Sequence, residues 1–311
     1  MAAEAPAPRL SWSLPHDISQ VLEYHFMINA LLAGSVVAVT AGLAGWLMVL
    51  RRETFAGHTL AMMAFPGASA AALAGVAARW GYFGFCGLGA LAIAVLPGGG
   101  SGSWREESAG IGTVQALALA LGFLFLSLYG SVLGDLESLL FGNLLGVSDG
   151  QVLTLTVVGA LVLMALAVLG RPLLFASVDP HVAGSRGVPV AALSGIFLLL
   201  LGLTVAATSQ VTGPLLVFAL LVMPAASAQA ITARPGLSLL LSVVMGLLVV
   251  WVGLGLAYFS VYPPGLFITA ISFVGYVLAR MLGAALRTRP VGSARVESPR
   301  RPGTQPGELI A

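Results

Sequence analysis

Residues 26–67 read FMINALLAGSVVAVTAGLAGWLMVLRRETFAGHTLAMMAFPG, and this stretch decides the fold. An apolar run from Phe26 to Leu50 is followed by two arginines, Arg51 and Arg52, and a second apolar run begins near Phe55. A guanidinium at the centre of a bilayer costs about 2.5–3.5 kcal/mol even on a lenient insertion scale. The pair is therefore expected at a membrane surface, turning a first helical hairpin on the cytoplasmic side.

The rest of the composition agrees. The chain is 58% hydrophobic and 8% charged, with mean hydropathy +0.99, whereas a soluble domain holds about 25% charged residues. A polytopic, all-α membrane protein follows. The 39 glycines suit it, because small residues let helices approach where no hydrophobic force drives them together. Gly67, Ala71 and Gly75 share one helix face.

Several chemistries are excluded. All 14 basic residues are arginine. Without lysine there is no Walker A motif, so the chain is no P-loop ATPase, and no Schiff-base enzyme. Cys86 is the only cysteine, which rules out an internal disulfide or a cysteine-based zinc site; it reads as a packed residue. The net charge of +2 is small and dispersed, giving no nucleic-acid surface.

Apolar runs that can span fall at 26–50, 54–78, 81–97, 109–130, 151–169, 190–208, 213–232, 236–260 and 264–284, which predicts eight to nine transmembrane helices. Three regions result. Residues 1–25 form an N-terminal segment, with an interfacial helix over His16–His25 and Trp12 at headgroup level. Residues 26–284 form the membrane domain. Residues 285–311, rich in Arg, Pro, Gly and Ser, form a disordered cytoplasmic tail able to touch anionic lipid. Region 131–150 holds Asp135, Glu137, Asn143 and Asp149 and reads as a short helix or re-entrant segment outside the main bundle. With Arg51–Arg52 inside, the inner loops also take Arg105, Arg171, Arg186, Arg234 and the tail arginines, leaving Arg9 and Arg79 outside. That skew predicts an outer N-terminus and a cytoplasmic C-terminus in the plasma membrane.

Few polar groups fall inside the runs. His58 is the clearest, and Met62, four residues on, shares its face. Pro66-Gly67 is expected to break or kink this helix, which is tolerated where backbone faces protein or a water-filled cavity. A pathway-lining helix follows. Imidazole suits Zn, Cu, Fe or Ni, and thioether suits soft Cu(I). Pro224, with Ser227 and Gln229 beyond it, is expected to kink a second helix facing the first. Arg171-Pro172 is expected to end a span. Asp179-Pro180 reads as an N-cap followed by Pro at the first helical position, opening a short helix that closes at Gly187. Solvated loop charge is the plain reading of Asp135 and Glu137; the other is an outer docking face.

Three stretches carry a family resemblance. Leu50-Arg51-Arg52-Glu53-Thr54-Phe55-Ala56-Gly57-His58-Thr59-Leu60, with Phe65-Pro66-Gly67, resembles the LRR-x-x-F-x-G-D-A-L-S-H-A-x-x-P-G segment of the metal-importing ABC permeases, the zinc/manganese/iron (ABC-3) family. Arg171 to Ala183 with Gly187-Val188-Pro189 is similar to that family's cytoplasmic F-D-P-x-x-A-x-x-x-G loop, and Gly213 to Ala228 to its G-x-L-L-V-x-A-L-L-x-x-P-A-A-x-A helix. The likeness spans roughly Ala30 to Leu282 and extends to divergent members from high-GC Gram-positive bacteria.

The resemblance implies the permease subunit of an ABC importer for a divalent metal ion or metal chelate, without catalytic residues or a permanently bound cofactor. ATP would be consumed by a separate ABC ATP-binding subunit docking at Asp179, Pro180, His181, Ala183 and Gly187. A solute-binding protein would deliver cargo, and two permease copies would pair around one pathway lined by Pro66, Gly67, Pro224 and Ser227. Metal passage maps to His58 and Met62, where the family usually has Asp and His. Imidazole with thioether is the softer pair, less suited to Mn²⁺. A non-metal ABC substrate is the nearest alternative. An ion-gradient-driven transporter would need carboxylates at membrane depth, and Asp and Glu map to loops and edges. An intramembrane enzyme would need a partner for His58 that no motif supplies.

Overall fold

Lipid offers no partner for backbone N–H and C=O groups, so apolar spans must satisfy them internally, as helices. The computed structural model describes residues 14–96, 104–130, 142, 144–260 and 262–287. In chain order the α-helices are α1 (Leu14–Glu23), α2 (His25–Leu50), α3 (Thr54–Leu73), α4 (Ala78–Val95), α5 (Trp104–Tyr129), α6 (Asp149–Val178), α7 (Pro180–Ser185), α8 (Val190–Ile231), α9 (Pro235–Tyr258) and α10 (Pro264–Arg287), with a 3₁₀ turn at Leu144–Gly146 before α6. Among the described residues seven helices are long and apolar enough to cross a membrane: His25–Leu50, Ala78–Val95, Ser108–Tyr129, Asp149–Val178, Val190–Pro214, Pro235–Tyr258 and Pro264–Ala285. Two further helical segments complete the nine expected runs, α3 and Leu216–Ile231. The protein is an all-α, polytopic membrane protein. Trp12, Asp135, Glu137, Asn143 and the tail beyond Arg287 lie outside the described residues.

α3 is less apolar than its neighbours for a physical reason. It is the innermost helix, packed among α4, α5 and α8, so it needs no lipid face and can carry Gly57, His58, Thr59 and Ser69. Thr59 Oγ1 donates to Gln115 Oε1 on α5 at 2.9 Å. Gly67 and Gly81 set α3 against α4 so closely that a Cβ on either would overlap the other's carbonyl. Cys86, fully buried, points its sulfur at the Leu60 carbonyl at 3.6 Å.

The prolines behave differently from expectation. α3 runs unbroken through Pro66, and α6 runs through Pro172 to Val178. Each proline deletes one backbone N–H, yet neighbours pack against the helix there: Gly122 of α5 sits against Phe65 and the Pro66 backbone, while Leu173 and Ala176 anchor the end of α6 in the core. Pro224 also sits in regular helix. The break in α8 lies at Gly213, with φ 72° and ψ 159°.

That break is a reversal. A straight helix would hold Ser194 and Gln229 about 50 Å apart. Instead both reach one end of α2, Ser194 Oγ accepting from Arg51 Nη2 at 2.6 Å and Gln229 Nε2 donating to the Trp46 carbonyl at 2.8 Å. The two arms of α8 therefore run antiparallel, with Gly213 at the tip. Gly142, itself at φ 67°, seats against the tip, where a Cβ would overlap the Gly213 nitrogen and lie 2.7 Å from the Val211 carbonyl oxygen. Leu144 and Val147 continue into the core, so the described part of 131–150 belongs to the bundle and caps this reversal.

Gly213 occupies backbone space open essentially to glycine alone. Gly213→Ala is expected to destabilise by about 1–3 kcal/mol, read as a lower melting temperature of the purified protein. Gly112→Ala, at an open position, is the control and should leave the transition unchanged.

Candidate functional site

His58 stands on the first turns of α3. Gly57 beside it is buried against the Met48 sulfur, which fills the space a side chain would need. That contact holds α2 and α3 close and leaves the half-buried imidazole to face the second arm of α8. There it meets Phe218 edge-on, ring centroids 4.9 Å apart and planes at 72°. His58 Nδ1 is buried and has no hydrogen-bond partner among the described residues. A buried ring nitrogen without a partner is costly unless something fills the gap.

Met62 is half-buried one turn on, on the same face. Pro66 has no N–H to offer the Met62 carbonyl, so that oxygen loses its helical partner. One imidazole nitrogen, one thioether and one freed carbonyl thus line successive turns of α3. No group of three or more His, Cys, Asp or Glu residues gathers anywhere among the described residues.

Pro66, Gly67, Pro224 and Ser227 are all buried. Gly67 is taken up by its contact with α4, and Ser227 Oγ donates to the Met223 carbonyl at 2.6 Å. Phe218 of α8 meets the His58 ring. Sequence reasoning passed over it; the signal was the single aromatic ring in the arm that follows Gly213, residues 214–231.

The second candidate region is α7. Asp179 caps it as expected, its Oδ1 accepting from the Val182 N–H at 2.9 Å with Pro180 at the first position. The helix ends before Gly187 at φ 80°. Ala183 is fully buried and roots α7 in the core. Pro180, His181, Val182 and Gly184 are exposed, a small protruding surface on the same end of the bundle as Arg51.

Arg51 lies in the turn between α2 and α3, as its sequence position requires, but its side chain is covered by protein: it is 7% exposed and pairs with Glu53, Nη2 to Oε1 at 2.8 Å. The turn is set by Arg52, exposed at φ 61°. At the opposite end of α2, Asp149 Oδ1 accepts from Asn29 Nδ2 at 2.6 Å and meets His25 Nε2 at 2.9 Å, which joins α2 to α6.

Comparison with known proteins places this arrangement. The model of the ABC 3 transport family matches residues 23–283. The "Manganese transport system membrane protein MntC" of Halalkalibacterium halodurans is 31% identical over 249 residues, 80% of this chain and 83% of that protein. The "Manganese import system permease protein ScaB" of Streptococcus parasanguinis is 31% identical over 241 residues, 78% and 85% of the two chains. Among solved structures, a chain of PsaBC from Streptococcus pneumoniae in complex with Fab superposes with a TM-score of 0.76 at 26% identity, covering 88% of this chain and 99% of that one. With nine apolar helical segments, the recessed His58 helix and the family match running through nearly all of them, this chain belongs to the ABC 3 transport family as a membrane permease.

Proposed function

We propose that the chain imports a divalent metal ion of the zinc/manganese class, or a chelate of one, as the membrane subunit of an ABC importer. The observation that carries this reading is the buried, unpartnered Nδ1 of His58 beside Met62. It lies on a helix within the stretch that the family model matches, residues 23–283.

Each of two copies contributes His58 and Met62 to a shared pathway, together making a four-ligand set that one copy lacks. Imidazole and thioether are softer than carboxylate and imidazole, so the cargo preference shifts away from Mn²⁺ toward softer ions. Pro66, Gly67, Pro224 and Ser227 shape the walls around that set. At the arginine-rich end, α7 offers Asp179, Pro180, His181 and Gly187 to a separate ATP-binding subunit, which consumes the ATP, while buried Ala183 seats the helix in the bundle and is not itself a docking contact. A solute-binding protein delivers cargo at the other end. The N-terminus lies outside and the C-terminus in the cytoplasm of a plasma-membrane protein. No cofactor is held between transport cycles.

In proteoliposomes containing the permease, its ATPase and its binding protein, ATP should drive accumulation of radiolabelled zinc or manganese; uptake of either at the same rate without ATP would refute the importer reading. His58→Ala should lower that uptake by about tenfold or more, with ATP hydrolysis by the partner as the internal check. The double change His58→Asp with Met62→His should raise the ratio of manganese to zinc transported. An unmoved ratio would remove these two residues from the selectivity site.

A further inference from the structure

Arg51 does more than close a turn. Its side chain is almost wholly buried, and its partners lie at the start of α3, on α6 and on α8. Nε donates to Glu53 Oε1 at 2.9 Å, Nη1 to Ser177 Oγ at 3.3 Å and Nη2 to Ser194 Oγ at 2.6 Å. The guanidinium also lies 5.2 Å from the ring centroid of Phe197. Ser177 is in the last turn of α6, two residues before the Asp179 cap of α7. Ser194 is in the second turn of α8, shortly after α7 ends. The two serines thus bracket α7 in the chain, and one guanidinium holds both.

The other side of the contact leads to His58. Glu53 precedes α3, and its carbonyl accepts the first helical bond, from Gly57 N–H at 3.0 Å. His58 follows directly. A planar guanidinium with five fixed donors transmits displacement better than a flexible ammonium. Because it stays charged, it cannot give up its buried partners one at a time without leaving an uncompensated charge.

We propose that Arg51 is a positioning residue that ties movement of α7 to the start of α3, and so to His58, through Ser177 and Ser194 on one side and Glu53 on the other. The inference rests on the importer reading, with α7 as the surface that the ATPase displaces.

The test uses the complete transporter in proteoliposomes. Ser177→Ala with Ser194→Ala removes the α7 side of the link and leaves the Arg51–Glu53 pair intact; Arg51→Lys keeps the charge and loses the fork. ATP hydrolysis should stay within about twofold of wild type while metal moved per ATP falls about tenfold. In parallel, a Met62→Cys variant reports access to the pathway by its rate of reaction with a water-soluble thiol reagent. That rate should change with ATP, and the change should vanish when the two serines are replaced. An unchanged ratio of metal to ATP in the double-serine variant overturns the proposal. So does a parallel fall of hydrolysis, uptake and melting temperature, which marks the cluster as purely structural. Should the intact transporter move no metal while ATP still alters thiol access at position 62 through the serines, the metal-import reading fails and the link stands.

Discussion

Backbone meeting backbone at glycine is the contact on which this bundle depends. Helices in lipid have no hydrophobic reason to associate, so close packing must supply the attraction. A Cβ on Gly45 of α2 would overlap the Leu221 carbonyl of α8, one on Gly283 of α10 would overlap the Ala230 carbonyl, and α3 meets α4 at Gly67 and Gly81 in the same way. Polar bonds then fix the register of what glycine brings together. Trp46 Nε1 donates to Ser238 Oγ at 2.9 Å, and Ser242 Oγ donates to the Gly42 carbonyl at 2.9 Å. In an apolar surround such groups must find partners, so each one selects a single alignment of two helices.

α2 consequently acts as the fixed member. It is joined to α6 through Asn29 and Asp149 at one end and through Arg51 and Ser177 at the other, and to α8 and α9 through Trp46 near that second end. α3 touches it mainly around Gly57 and Met48, and packs instead with α4 and α5. The helix that carries His58 therefore shares α8 with the helix that precedes it but has its own partners in α4 and α5, with the three residues 51–53 as the junction.

Much of this was legible in the order of residues. Among the described residues each of the nine apolar runs corresponds to a helical segment, seven of them long and apolar enough to cross a membrane, because run length and the cost of burying unpaired backbone leave little choice. The Asp179-Pro180 cap and the Gly187 stop were readable because they are local chemistry. Proline was a poor guide to helix ends: α6 continues past Pro172 to Val178, and Pro66 and Pro224 lie inside continuous helix. Gly213, unremarkable among 39 glycines, carries the reversal. The depth of Arg51 was hidden too, because its partners Ser177 and Ser194 are far away in the chain. His58 and Met62 could be named from spacing and resemblance; Phe218 could not, because only the folded chain brings it to the imidazole.

The zero-length turn at Gly213 also bears on how the protein is made. Between Val190 and Ile231 there is no Asp, Glu, Lys, Arg or His, so neither arm must drag an ionised group through hydrocarbon. With no connecting loop to thread across, the two arms leave the insertion machinery most simply as one preassembled hairpin. Biogenesis then handles them as a single unit, and a charge placed near the apex would obstruct delivery of both.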